Sequence, residues 1–112
     1  MQDVARRKVL ALIGLGVRAR NVVVGVEQVR GAAQRDRLAL AVIASDVSQH
    51  SRDKVIPLLK AKGVECLEGP TGNELGQCVG KEITAVVGVI DTALANGIRA
   101  AMAARTVVEE EV

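Results

Sequence analysis

Leu38-Ala39-Leu40-Ala41-Val42-Ile43-Ala44 and Ala85-Val86-Val87-Gly88-Val89-Ile90 are two unbroken apolar runs of strand length. A sheet with one wet face alternates apolar and polar residues along each strand. Runs with no polar position predict strands covered on both faces, as in a sheet packed between two layers of helices.

Working outward, Val22-Val23-Val24 lies between Asn21 and Gly25, and β-branched residues between turn formers read as another strand. Val64 to Leu67 is a fourth, followed by a turn at Gly69-Pro70-Thr71-Gly72. Helical spacing fills the intervals. Between Val4 and Val17, apolar residues at 9, 10, 12, 13 and 17 share one helix face, with Arg6, Arg7 and Lys8 opposite. Residues 26–35 return to helical spacing. A third helix is capped by Asp46 or Ser48, carries Val55, Leu58 and Leu59 on one face, and closes at Lys60, Lys62 and Gly63. Pro57 predicts that this helix starts late or kinks there. A short helix spans about Asn73 to Val79, and a last one, capped by Asp91 or Thr92, runs through Ala104. The expectation is an α/β fold, a three-layer α/β/α sandwich around a four-stranded mixed sheet. One domain occupies residues 1–105, and 106–112 form an acidic, flexible tail.

The chain of 112 residues is 49% hydrophobic and 25% charged, and it holds no Phe, Tyr or Trp. RNA-recognition motifs, OB-folds and cold-shock domains hold single strands by stacking bases on aromatic rings, so all three are excluded. No apolar stretch reaches membrane-span length, and the basic residues before the first apolar run flank an amphipathic helix better than a secretory signal; a cytoplasmic protein is expected. The net charge of +2 conceals an asymmetry: residues 1–37 carry eight basic and three acidic side chains, and residues 38–112 carry seven and ten. A basic first third suits a polyanionic partner, although a solvated helix face has the same composition.

Sites for chemistry are sparse. Cys66 and Cys78 lack the paired spacing of a zinc site and read as reduced core residues, so neither metal nor cofactor is expected. Gly14-Leu15-Gly16-Val17-Arg18-Ala19 fits a dinucleotide fingerprint but follows a helix where that motif follows a strand. Gly76-Gln77-Cys78-Val79-Gly80-Lys81 is one residue short between the glycines of a phosphate loop, and Glu82 stands where a Ser or Thr is required. His50 is the single imidazole, at a helix start where solvation or capping accounts for it, and the carboxylates are scattered; no enzyme is expected. What remains is the turn Val24-Gly25-Val26-Glu27-Gln28. A strand ending in glycine and feeding straight into a helix leaves backbone donors free at the helix start, suited to a phosphate or a base edge. Arg18, Arg20 and Arg30 flank this turn in sequence. An ordinary strand-to-helix turn, with Glu27 placed to favour the helix dipole, would look the same.

The segments GLGVRARNVVVG (14–25), VIASDVS (42–48), LGQCVGKE (75–82) and VGVIDTALA (87–95), with Gly72-Asn73-Glu74-Leu75-Gly76 leading into the third, resemble ribosomal proteins of the L-seven-Ae and L-thirty-e type, most closely the bacterial YlxQ-like branch. The similarity covers roughly residues 8–100. It implies an α/β/α sandwich that binds kink-turn RNA within ribonucleoprotein machines. A kink with sheared G·A pairs opens a groove that A-form RNA otherwise keeps closed, and a helix start can then enter.

The family's motif at this turn is a glycine, a variable residue, Asn, Glu, and a Lys three positions after the Glu. It maps onto Gly25, Val26, Glu27, Gln28 and Gly31, and only the glycine is retained. Glu27 loses an amide donor and adds negative charge, Gln28 keeps donor and acceptor capacity, and Arg30 stands beside the missing lysine. The family's second contact, an apolar loop that packs on extruded nucleotides, maps onto Lys81-Glu82-Ile83-Thr84, with Ile83 as the apolar contact. The resemblance thus implies a ribosome-associated protein that recognises kinked or kink-turn-like RNA through Gly25–Arg30 and Lys81–Thr84. Its partners would be ribosomal or other kink-containing RNA and components of ribosomes or ribonucleoproteins. Because a fold does not determine a function, a protein-interaction module on the same scaffold is the alternative.

Overall fold

In the computed structural model, which describes residues 3–111 with side chains through 103, nine elements follow one another. They are α1 (Asp3–Arg18), β1 (Val22–Val24), α2 (Val26–Gln34), β2 (Leu40–Ile43), α3 (Gln49–Ala61), β3 (Cys66–Glu68), α4 (Gly72–Val79), β4 (Val86–Val89) and α5 (Thr92–Glu111). The strands form one sheet in the order β1-β4-β2-β3. β4 is antiparallel to β1 on one side and to β2 on the other, and β2 is parallel to β3. The sheet is mixed, as expected.

The apolar runs divide their side chains between two cores. Leu40, Val42, Val87 and Val89 face a layer made by α1, α4 and α5, where they meet Val9, Ile13, Leu75 and Ile98. Ala41, Ile43 and Val86 face the other way, onto Val29 and Ala33 of α2 and Val55 and Leu59 of α3. Successive strand residues point to opposite faces, so burial of every residue in β2 and β4 follows from helices on both sides.

Several boundaries differ from the sequence reading. β2 and β4 are shorter than their apolar runs because Leu38, Ala39, Ala44, Ala85 and Ile90 lie beyond the ladder residues. α3 does not start late: it begins at Gln49, with Ser48 Oγ accepting from the Ser51 N–H, and Pro57 lies inside it. Pro57 is exposed, so the carbonyl of Asp53 that it leaves without a donor opens to water. α5 continues past Ala104, where the sequence reading ended it. The acidic tail expected at 106–112 lies outside the described side chains.

Two devices position the loop before β4. α4 opens with a capping box, in which Thr71 Oγ1 accepts from the Glu74 N–H and Glu74 Oε1 accepts from the Thr71 N–H. One turn on, Gly76 lies directly against the chain at 82–83. A Cβ there would come within 2.7 Å of the Glu82 carbonyl carbon and 3.0 Å of the Ile83 nitrogen. The Thr71-x-x-Glu74 pattern and Gly76 therefore serve the fold: they press α4 onto the loop that leads into β4.

Cys66 and Cys78 are unpaired and half-buried; Cys78 donates to the Leu75 carbonyl. Burial pushes both thiols up from 9.0, with Lys60 drawing Cys66 partly back. Among the described residues, no group of three or more metal-ligating side chains forms and no helix is long and apolar enough to cross a membrane.

Gly76→Ala should cost about 1–3 kcal/mol by overpacking, read as a lowered denaturation midpoint, and should displace the amide resonances of residues 81–84 most. Because both thiols ionise later folded than unfolded, their contribution is constant below pH 9.0 and lost as pH rises through the folded values. A double Cys66→Ala, Cys78→Ala variant should therefore show a shallower loss of stability above pH 9.0 in denaturation measured across pH.

Candidate nucleic-acid interface

Because β4 runs against its three companions, the ends of β1, β2 and β3 and the start of β4 share one edge of the sheet, here the upper edge. α2, α3 and α4 all begin there, each following the end of a strand. The first backbone N–H groups of each helix have no intrahelical acceptor, so this edge collects the positive ends of three helix dipoles.

The turn at Gly25 is built to leave those donors open. Gly25 adopts φ 93 and ψ 161, a region essentially confined to glycine, although no atom lies within 4 Å of where a Cβ would stand. Backbone conformation, not space, requires this glycine. As N-cap of α2 it offers no side chain, so the N–H groups of Val26 and Glu27 are uncapped. Its own N–H donates to the Val86 carbonyl at 2.9 Å, and its carbonyl accepts from Val29 at 3.0 Å. The turn is thereby fastened to the first residue of β4, three positions after Ile83.

The side chains of the turn separate by task. Val26 packs into the core between α2 and α3. Glu27 and Gln28 are exposed. Gln28 Oε1 accepts from the Val24 N–H at 3.1 Å, which holds the amide across the turn and leaves its NH2 group facing outward as a donor. Arg30 is spent differently from the sequence reading: its Nη1 donates to the Lys54 carbonyl, clipping α2 to α3. At Gly31, a Cβ would lie 3.3 Å from Nη1 of Arg35, so that guanidinium folds back one turn over the position the family gives to lysine.

The second segment stands beside the turn. Lys81, Glu82 and Ile83 are exposed, Ile83 at 73%, while Thr84 is buried. The Thr84 N–H donates to the Gly72 carbonyl at 3.0 Å, and Ala85 accepts from Ala44 at 2.9 Å, so the loop is held against both α4 and the end of β2. Ile83 therefore projects from a fixed backbone. Next to it lies a cleft of about 320 Å³ lined by Asp46, Ser48, Ser51, Gly72 and Thr84. Asp46 Oδ1 accepts from the Gly72 N–H at 2.8 Å and closes the cleft floor. Sequence reasoning treated Asp46 and Ser48 only as helix caps and did not single out this cleft. Its signal was the segment VIASDVS (42–48), whose polar residues follow directly on a buried strand.

Arg18 and Arg20 are not brought to the turn. They close α1 and precede β1, so they lie at the lower edge, about 16 Å of extended chain from Gly25. Proximity in sequence misplaced them because β1 crosses the sheet between the two. Of the predicted residues, the structure gathers Gly25, Glu27, Gln28, Lys81, Glu82 and Ile83 at the upper edge, keeps Val26 inward and Arg30 on α3, and sends Arg18 and Arg20 away.

Comparison with known proteins agrees with this architecture. A curated relative, the RNA-binding protein YlxQ of Enterococcus faecium, is 28% identical over 95 residues, covering 85% of this chain and 91% of that protein. A solved structure of a protein of unknown function from Bacillus halodurans superposes with a TM-score of 0.77 at 30% identity, covering 84% of this chain and 95% of that one. The Giardia lamblia 15.5kD RNA binding protein has a TM-score of 0.72 at 19% identity over 90% of this chain and 87% of its own, a likeness of fold. The sequence pattern of one family matches residues 7–99, from the first helix to the last. On that match, the chain belongs to the ribosomal protein L7Ae/L30e/S12e/Gadd45 family.

Proposed function

We propose that this protein binds structured RNA at the upper edge, recognising a kinked or kink-turn-like element within a ribosomal or other ribonucleoprotein RNA in the cytoplasm. The observation that carries the reading is the uncapped start of α2 held by a backbone hydrogen bond beside an isoleucine that is 73% exposed. Free N–H groups and the Gln28 NH2 suit phosphate and base edges, and a fixed apolar side chain suits an extruded base. The E. faecium relative, named an RNA-binding protein, supports the same class of ligand.

In this reading Gly25 sets the turn, Gln28 donates to a base edge, and Ile83 packs on an extruded nucleotide above the neighbouring cleft. Lys81 and the folded-back Arg35 offer cations to the flanking backbone. Glu27 opposes the ligand electrostatically and Arg30 is engaged with α3, so the site relies on backbone donors more than on basic side chains. Those same two residues favour the alternative, a protein-interaction surface on this edge.

Fluorescence anisotropy with a kink-turn RNA and an unbroken duplex of equal length, at two salt concentrations, tests the reading. A preference for the kink-turn that Ile83→Ala reduces is the expected outcome. Equal affinity for the two RNAs would remove kink recognition, and no RNA binding at low salt would turn the upper edge over to a protein partner. Glu27→Asn, which exchanges a repelling carboxylate for an amide donor, should tighten kink-turn binding by on the order of 1 kcal/mol, about fivefold in Kd. An unchanged Kd would mean that this position does not face the RNA.

A further inference from the structure

The lower edge of the sheet carries a feature that the upper-edge reading leaves unused. α1, α2 and α3 end there, and the chain re-enters the sheet at β1, β2 and β3. Arg18, Arg20 and Arg37 are all exposed along it, and none forms an ion pair among the described residues. The register places them. Asn21 accepts from the Ile90 N–H and Ala39 donates to the Val89 carbonyl, so the lead-ins to β1 and β2 flank the end of β4. Arg20 and Arg37 therefore stand about two strand spacings apart, roughly 10 Å.

Two acids of this edge are paired with cations, and a third, Asp91, caps a helix. Asp36 pairs with Lys62 at 3.2 Å, Glu65 pairs with Arg99 at 2.6 Å, and Asp91 Oδ2 accepts from the Leu94 N–H at 2.7 Å to cap α5. The charge of Arg18, Arg20 and Arg37 is left facing solvent. Helix ends attract cations, and Arg18 in the last turn of α1 answers that dipole. Arg20 and Arg37 lie beyond their helices. Arg20 is even held at φ 63, a left-handed conformation uncommon for a side chain of its size. The upper edge, by contrast, sets exposed Glu27 and Glu82 against exposed Lys81.

We propose that Arg18, Arg20 and Arg37 form a second RNA contact, separate from the upper-edge site, that grips the phosphate backbone of an A-form duplex without reading its sequence. A chain with no Phe, Tyr or Trp lacks the rings on which single-strand binders stack splayed bases, which favours a duplex over a single strand. Three exposed arginines along one edge suit the phosphates of a backbone, each arginine being a forked donor. The inference does not rest on kink recognition by the upper edge.

The test uses an unbroken RNA stem-loop and the whole chain. Anisotropy titrations at several salt concentrations compare the unaltered protein with Arg18→Gln, Arg20→Asn, Arg37→Gln combined, the Asn being chosen because it tolerates left-handed backbone. The protein should bind the stem at low salt, and the triple variant should bind at least tenfold more weakly, its log K against log salt slope shallower by about two to three. Arg→Lys at the same three positions should restore most of the binding, and circular dichroism should show the fold intact in both. Ile83→Ala should leave stem binding unchanged while altering any kink-turn preference, so the two surfaces fail or stand separately. Unaltered stem binding by the folded triple variant, loss of stem binding in Ile83→Ala instead, or no stem binding by the protein at low salt would each overturn the proposal.

Discussion

The antiparallel pairing of β4 between β1 and β2 is the constraint on which the rest of the molecule depends. Its residues are the only ones in the sheet bonded to two antiparallel neighbours, and every residue of the strand is buried. Entering against the direction of its companions, β4 begins where they end. The segment that precedes it, Lys81 to Ala85, is therefore delivered to the edge where α2 and α3 start. The bond from the Gly25 N–H to the Val86 carbonyl is the point at which turn and loop become one surface. Had β4 been parallel, Ile83 would lie at the far end of the sheet from Gln28.

The same topology sorts charge. Helices α2, α3 and α4 present their positive ends at the upper edge, and α1, α2 and α3 present their negative ends at the lower one. Side chains follow the complementary order: Glu27 and Glu74 stand in first turns, Arg18 and Lys60 in last turns. The basic first third of the sequence is thus not a basic binding face at Gly25. It is divided between the two edges, with much of it below. What the upper edge exposes are backbone donors, an amide and an isoleucine, groups suited to shape and base edges, whereas the lower edge exposes arginines.

Close approach between elements is achieved with absent side chains. Gly76 lets α4 press on the chain at 82–83, and Gly88 leaves room on β4 for Leu38, Val23 and Val29. With no aromatic residue available, the two cores are filled by Val, Leu, Ile and Ala. The loop of the upper edge is held by this packing, since Ile83 is exposed while Lys81 before it is tied to Gly76, and Thr84 and Ala85 after it are tied to Gly72 and Ala44.

By itself the sequence determined the order of elements, their type, the two-faced burial of β2 and β4 and the family, because period, caps and turn residues are local and survive in one dimension. Gly25 and Gln28 were legible for the same reason, since a strand ending in glycine before a helix is visible without coordinates, whereas Ile83 was singled out by the family resemblance. Only the tertiary structure decided which of those residues meet. Arg18 and Arg20 lie next to the Gly25 turn in sequence, yet β1 carries them across the sheet to the opposite edge. Arg30 is absorbed by the Lys54 carbonyl of a helix that begins nineteen positions later, and Arg35 folds over the vacancy at Gly31. Strand direction and inter-helix contacts are non-local, and no spacing along the chain encodes where a long flexible side chain finds its acceptor.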